Sequence, residues 1–247
     1  MRLRNKVAIV TGSSSGIGEA VALALAKNGA KVIVNSRRNI SGGETVVKEI
    51  KKIGGDATYI QADVSDGKQV KRLFSEALKK YKTVDILINN AGESKSGKLG
   101  DLENWNYQFN NILLSSVISS DEFLQIKSAN LRKIVNISSI YGSTLGSNTS
   151  YLAYGAMKAG MNNLTVNLAK LHGSKVLVNA VVPGYTLTPP WGTNDVFSDT
   201  GVNKNTKIKR FVYPEEIAEM VVSILKNDAM TGQIITVDGG ATLKDLY

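Results

Sequence analysis

The chain of 247 residues has no cysteine, one histidine and only four prolines. Without cysteine there is no disulfide, no thiolate nucleophile and no thiolate-held metal. A single histidine, His172, removes nearly every histidine triad and histidine-cluster metal site. Long apolar runs are missing too. The longest uncharged aliphatic run, Ala20 to Ala26, falls far short of the roughly 20 residues that cross a bilayer. The basic start, Met1 to Arg4, leads only into Val7 to Val10, too short for the apolar centre of a secretion signal. The expectation is a cytoplasmic protein with no membrane attachment and no metal, whose chemistry uses hydroxyls, amides, lysines or carboxylates.

What is present fits one folded domain over residues 1–247, with 43% hydrophobic residues and no linker or repeat to divide it. Thirty lysines and arginines against twenty-one aspartates and glutamates give a net charge of +9. Along the chain the surplus is even, with 18 basic and 13 acidic residues in 1–123 and 12 and 8 in 124–247. A nucleic-acid arm would show a block or a stripe, so dispersed charge reads as solvated surface and no nucleic-acid partner is expected.

Short β-branched runs alternate with helical periods. The strand candidates are Lys6–Thr11, Lys31–Asn35, Ala57–Gln61, Val84–Asn89, Lys133–Ile137, Val176–Val182 and Gln233–Val237. Most are continuously apolar, as strands buried on both faces of a parallel sheet must be. Val70, Leu73, Phe74, Ala77, Leu78 and Tyr81 make a helical stripe, and Val46, Val47, Ile50 and Ile53 a shorter one. The fold class expected is α/β, a single doubly wound domain of Rossmann type with seven mostly parallel strands. The stretch of about 185–213, rich in Pro, Gly, Asn and Thr, follows a strand's carboxyl end and reads as a substrate lid.

The first strand runs into Gly12-Ser13-Ser14-Ser15-Gly16-Ile17-Gly18 and then a helix. Glycines there allow unusual dihedrals and let backbone amides approach a pyrophosphate at a helix N-terminus. An NAD site places an acid after the second strand to hold the ribose hydroxyls. Here that place reads Asn35-Ser36-Arg37-Arg38, and an arginine fork suits a 2′-phosphate instead. NADP(H) is therefore favoured over NAD(H). Asp63-Val64 and Asn89-Asn90-Ala91-Gly92 follow the third and fourth strands, where adenine and ribose lie in such sheets, although Asn and Gly are also plain turn residues.

Ser138-Ser139 ends the fifth strand, and Tyr154 with Lys158 opens the next helix. At i, i+4 the two share a helix face, and a cation beside a phenol favours phenolate and lowers its pKa from about 10. Of nine tyrosines only Tyr154 has a lysine four residues on. About one such pair arises by chance, so its position carries the weight.

The whole string, with Pro183-Gly184 and the closing Thr236-Val-Asp-Gly-Gly240, resembles the short-chain dehydrogenase/reductase family, most of all its 3-oxoacyl-(acyl-carrier-protein) reductases. The resemblance implies a tetrad of Asn111, Ser139, Tyr154 and Lys158, with Asn110 and Ser138 as the alternatives at their positions. It implies that Tyr154 exchanges the proton with the substrate oxygen and Ser139 places that oxygen. Lys158 would hold the nicotinamide ribose and tune Tyr154, and Asn111 would hold a water that links Lys158 to solvent. It further implies cofactor contacts at Pro183, Gly184, Thr186 and Thr188, a homotetramer or homodimer, and a part in fatty acid synthesis. The substrate implied is a small-molecule carbonyl, carried on an acidic carrier protein or on CoA. Lys133, Lys175, Lys204, Lys207, Lys209 and Arg210 are candidates to meet that carrier. Sugar, polyol and xenobiotic dehydrogenases share these motifs, and a non-catalytic NADPH sensor is the reading from another class. His172 reads as a helix-end cap, Tyr141 and Tyr151 flank the site and could touch substrate but read first as packing or surface, and Asp238 lacks the companions of a metal site.

Overall fold

A computed structural model describes residues 1–189 and 202–243. Positions 190–201, the middle of the expected lid, lie outside the described residues. Seven parallel strands form one sheet in the order β3-β2-β1-β4-β5-β6-β7. They are β1 (Val7–Val10), β2 (Lys31–Ser36), β3 (Asp56–Gln61), β4 (Ile86–Asn89), β5 (Arg132–Ile137), β6 (Val176–Pro183) and β7 (Ile234–Val237). Every pairing is parallel, so the one antiparallel edge that "mostly" allowed is not needed. The order reverses between β1 and β4, which opens a crevice at the carboxyl ends of those two strands.

Helices cover both faces. On one side lie α1 (Gly16–Lys27), α2 (Ile40–Lys52) and, from the far end of the chain, α8 (Pro214–Lys226). The other side carries α3 (Gly67–Tyr81), the broken rod α4 (Leu102–Gln108) and α5 (Ser115–Gln125), and α6 (Leu152–His172); a single short turn, α7 (Val202–Asn205), precedes α8. The fully buried central strands supply Ile9, Ile33, Ile88 and Val135 to the two cores, which is why those segments read as unbroken apolar runs. Each such side chain contributes about 1.5–3 kcal/mol when removed from water.

Local chemistry fixes the element ends. Asp66 accepts from the amides of Lys68 and Gln69 and starts α3. Pro214 opens α8, and Glu216 reaches back to the Tyr213 amide at 2.8 Å. α1 begins at Gly16, earlier than the apolar period suggests, because extended Ser15 turns the chain straight from the glycine loop into the helix. The rod α4–α5 lacks an apolar stripe. Its buried side is largely Ser115, Ser116, Ser119 and Ser120: Ser115 and Ser116 donate to backbone carbonyls, Ser120 accepts from Asn89, and the buried Ser119 hydroxyl has no partner. Between the two helices Phe109–Leu114 is a π-helical turn, closed by the Ser115 amide on the Asn110 carbonyl.

Charge that is even along the sequence is uneven in space. In a parallel βα repeat all strands begin, and all helices end, at the same edge of the sheet. At this amino edge α1 closes on Lys27, α2 on Lys51 and Lys52, α3 on Lys79 and Lys80, and α8 on Lys226.

Candidate active site

The site is built at the opposite, carboxyl edge from the loops that follow β1 to β6. Thr11 anchors two of them. Its hydroxyl accepts from the amides of Asn90 and Ala91 at 3.0 Å each, while the Asn90 side chain donates to the carbonyls of Thr11 and Gly12 at 3.0 and 2.9 Å. The glycine loop is thereby tied to the β4 loop. Gly12 has φ +61°, and a Cβ on it would stand 2.8 Å from the Ala91 Cα; glycine is required there on both counts. The Ser15 hydroxyl makes no bond to the helix it caps, leaving the first turn of α1 with free amide donors.

Two clefts meet over this junction and share Gly12, Asn90, Gly92 and Glu93. One, of about 180 Å³, is walled by Ser36, Arg37, Asp63, Val64, Ala91 and Asn111. The other, of about 370 Å³, runs past Ser15, Gly16, Ile17 and Gly18 to Ser139, Tyr154, Lys158, Pro183, Gly184, Thr186 and Thr188. A bent cleft with amide donors at its waist and polar pockets at both ends fits a dinucleotide.

Three of the expected contacts lie elsewhere. Asn89 is buried in β4, where its amide joins Ser120 and Asn136 at 3.0 and 2.9 Å and ties β4 to β5 beneath the cleft. Ser14 lines neither cleft and turns its carbonyl to the Asn39 amide. Arg38 is exposed and lines neither cleft. Arg37 points inward, with Nη1 at 3.1 Å from Asn111 Oδ1 and 3.4 Å from Asp63 Oδ2. Asp63 is held below its usual pKa; against burial, which raises it, act the Ser65 hydroxyl and amide and the Arg37 charge. Ser36 spends its hydroxyl on the Asn39 carbonyl and the Tyr59 hydroxyl, both at 2.9 Å.

At the wider end Ser139, Tyr154 and Lys158 converge. The short turn Ile140–Gly142 lies against α6, and a Cβ on Gly142 would stand 2.6 Å from the Lys158 carbonyl carbon. Ser138 is buried and donates to the Lys158 carbonyl at 3.2 Å, pinning the helix. The Ser139 hydroxyl acts to lower the pKa of the Tyr154 phenol, but burial outweighs it and raises the phenol above its ordinary value. Lys158 is 3% exposed, donates to the Ile137 carbonyl at 2.6 Å, and is brought down by desolvation to about 7. Its Nζ lies 5.7 Å from the Tyr154 ring centre.

Asn111 sits on the π-helical turn. Its amide group serves Tyr107 O and Arg37 rather than Lys158. Its backbone carbonyl instead faces the catalytic end, since a Cβ on Gly92 would lie 3.9 Å from both Asn111 O and Lys158 Nζ. Asn110 is exposed.

Comparison with known proteins agrees with this architecture. A family model described as short chain dehydrogenase matches residues 6–195. This chain belongs to the short-chain dehydrogenase/reductase family. A 3-oxoacyl-(acyl-carrier-protein) reductase from Synechocystis is 34% identical, over 98% of each chain. A cis-4-hydroxycyclohexanecarboxylate dehydrogenase from Sinomonas cyclohexanicum is 34% identical over 96% of each. The solved structure of a short chain dehydrogenase from Burkholderia cenocepacia J2315 in complex with NADP superposes with a TM-score of 0.90 at 28% identity, over 98% of this chain and 99% of that one. As a member of this family the chain is an NAD(P)-dependent oxidoreductase.

The sequence reading passed over two groups that the structure brings to the clefts. Glu93 and Tyr107 close the narrower one, their side chains 3.0 Å apart. Tyr141, read first as packing or surface and second as a substrate contact, lines the wider one with its ring edge-on to Tyr154 at 6.1 Å and to Tyr185 at 6.4 Å. The expected carrier-protein cations also separate: Lys133 is buried on Asp228 at 2.7 Å, Lys175 lies at the far edge of the sheet, and Arg210 is paired with Glu216 at 2.7 Å. Among the described residues no cluster of acids and His172 could hold a metal, and no helix is long and apolar enough to cross a membrane.

Proposed function

We propose that the protein reduces a ketone with NADPH, Tyr154 giving the proton to the substrate oxygen. The observation that carries this is the convergence of Ser139, Tyr154 and Lys158 at the wide end of a dinucleotide-shaped cleft. Bound there, the cofactor supplies the hydride. A phenol whose pKa is raised by burial arrives protonated and is an acid, which suits the reducing direction. Ser139 lines the same end of the cleft, and its hydroxyl orients the oxygen on which charge develops. Lys158, desolvated and aimed at the cleft, takes up charge readily near neutral pH and so can draw the phenol down as the proton leaves. The Asn111 carbonyl accepts from the Ser115 hydroxyl at 2.9 Å, and it lies where a water could relay a proton from solvent to Lys158.

A 3-oxoacyl thioester is the leading substrate class, supported by the reductase among the relatives; the cyclohexane carboxylate dehydrogenase keeps ring alcohols next in line. The 2′-phosphate of NADPH would draw Arg37 away from Asn111 and Asp63, and no carboxylate follows β2 to repel it. Exposed Leu102, Phe109 and Val117 on the α4–α5 rod supply the apolar face that a dimer or tetramer would cover.

Tyr154→Phe tests the reading. Loss of cofactor oxidation at 340 nm by about 10³-fold or more, with NADPH binding within threefold of the parent by fluorescence titration, is the expected result. Substantial residual reduction of every active carbonyl would refute the role.

A further inference from the structure

We infer that the amino edge of the sheet is a docking surface for the phosphate backbone of double-stranded nucleic acid. Each of the seven strands is entered from that edge by one segment: residues 1–6 for β1, and for the others the last turn of a helix, a loop and the first strand residues. Six of the seven segments carry at least two cations. β1 is preceded by Arg2, Arg4 and Lys6, β4 by Lys79, Lys80 and Lys82, and the others follow the same rule. In all, sixteen of the thirty basic residues lie there against five of the twenty-one acids, so the rest of the chain is slightly acidic. Two of those five acids are already neutralised, Asp85 by Lys6 at 3.3 Å and Asp228 by Lys133 at 2.7 Å. Twelve of the sixteen cations are exposed.

Helix dipoles account for only part of this. A cation in a last turn is favoured by the local carbonyls, yet Lys82, Lys127, Lys175, Arg2 and Arg4 stand outside the helices. The complementary bias is only partial: Glu19, Glu103 and Glu215 with Glu216 stand in the first turns of α1, α4 and α8, whereas α2, α3, α5 and α6 have no acid there. The cations span both helix layers, Lys51 and Lys226 on one and Lys80 and Lys127 on the other, which makes the face broad rather than a single groove.

The chemistry between the charges selects the partner. Asn5, Ser128, Asn130 and Asn227 are exposed or half-buried there and can hydrogen-bond phosphate and sugar oxygens. An exposed aromatic platform of the kind that stacks single-stranded bases is absent among the described residues of this edge; Tyr81 is half-buried and its hydroxyl is held by Asp56 at 2.9 Å. The exposed aliphatics Ile53 and Leu171 end helices on opposite layers and Ile234 begins the edge strand β7, so the three make no common anchor for a lipid surface. What is left is sequence-independent phosphate contact. The catalytic edge lies about 20 Å away along β5, at ~3.3 Å per residue, so the two surfaces operate without touching.

The test uses the intact protein, a fluorescent 30-base-pair duplex of random sequence, and vesicles of phosphatidylcholine with 30% phosphatidylserine. Anisotropy should show duplex binding at 50 mM salt that weakens by about 10³-fold at 200 mM, as displacement of several phosphate counterions requires. A variant with Lys51, Lys80, Lys127 and Lys175 all changed to Glu should lose at least 30-fold in duplex affinity while keeping carbonyl reduction within twofold. Changing Lys68 and Lys98, which lie at the other edge, to Glu should cost less than threefold. No duplex binding at 50 mM salt overturns the proposal, as does equal loss in the Lys68/Lys98 variant. Vesicle binding without duplex binding assigns the face to lipid instead. Because retained reduction is measured on the same variants, failure here is distinct from failure of the enzymatic reading.

Discussion

Among the described residues two lysines are buried, one at each edge of the sheet, and they are treated in opposite ways. At the amino edge Lys133, 1% exposed, meets the Asp228 carboxylate at 2.7 Å and the Asn227 carbonyl at 2.6 Å. At the carboxyl edge Lys158, 3% exposed, has the Ile137 carbonyl at 2.6 Å and no carboxylate beside it. The first is a paired charge that fastens β5 to the segment after α8. The second is a charge kept short of partners, and desolvation brings it down to about 7. A buried cation with a carboxylate is structure; one held only by a carbonyl, in a cleft beside a phenol, is poised for chemistry.

Removing each property in turn separates the two roles. The largest effect is expected from Lys158→Met. Turnover should fall by about 10²-fold or more, and stability should respond to pH. The unfolded lysine titrates near 10.5 and the folded one near 7, so below pH 7 both states carry the proton and the fold bears the whole cost of the buried charge. Between 7 and 10.5 only the unfolded state is protonated, and wild-type stability rises by about 1.4 kcal/mol per pH unit. Urea melts of the cofactor-free proteins should therefore show Lys158→Met ahead of the parent at pH 6, with the gap closing by pH 9. A gap that is constant over that range would mean Lys158 keeps its charge in the fold.

The contrast also marks what a sequence can disclose. The strands were legible because burial on both faces leaves unbroken runs such as Val7–Val10, and Tyr154 with Lys158 because four residues is one helical turn. The glycine loop was legible for a similar local reason: Gly12 and Gly18 are needed within seven residues. Features joining distant segments were not. Arg37 reaches Asn111 across 74 positions. The π turn at Phe109–Leu114 inserts into a rod whose buried side is serine, so no apolar period was there to show the break. The amino-edge charge is divided among seven segments, and an even spread along the chain is the form that a spatial concentration takes in a βα repeat. Lys133 and Lys175 were read as partners for an acidic carrier for the same reason, since charge alone does not tell which edge a residue occupies.

A second test introduces a carboxylate at the carboxyl edge, where β2 ends without one. Ser36→Asp should shift the preference for NADPH over NADH by roughly tenfold to a hundredfold, measured as the ratio of kcat/KM values. The added charge would oppose a 2′-phosphate and could accept from a ribose hydroxyl. The variant also gives up the Ser36 bonds to Asn39 O and Tyr59, so NADH activity that holds or rises is the control for folding. Selectivity left unchanged would remove the arginine reading of this loop.

The smallest effect is expected where a carboxylate is taken away from the amino edge. Asp228→Asn leaves Lys133 with the Asn227 carbonyl alone, a copy of the arrangement around Lys158. Asp228 is half exposed, so solvent screens the pair and the loss should be on the order of 1 kcal/mol or less. Its carboxyl is held below the usual range, chiefly by the hydrogen bond from Lys133. That contribution is complete above about pH 4, the unfolded value, and is lost as the pH falls through the folded one. Urea melts should show a gap between parent and variant at pH 7 that narrows towards pH 3, with kcat and cofactor preference unchanged. A loss of several kcal/mol would show that Lys133 depends on its carboxylate as a buried pair does. A fall in kcat would show the two edges to be coupled, and the division between paired and poised lysines would then fail.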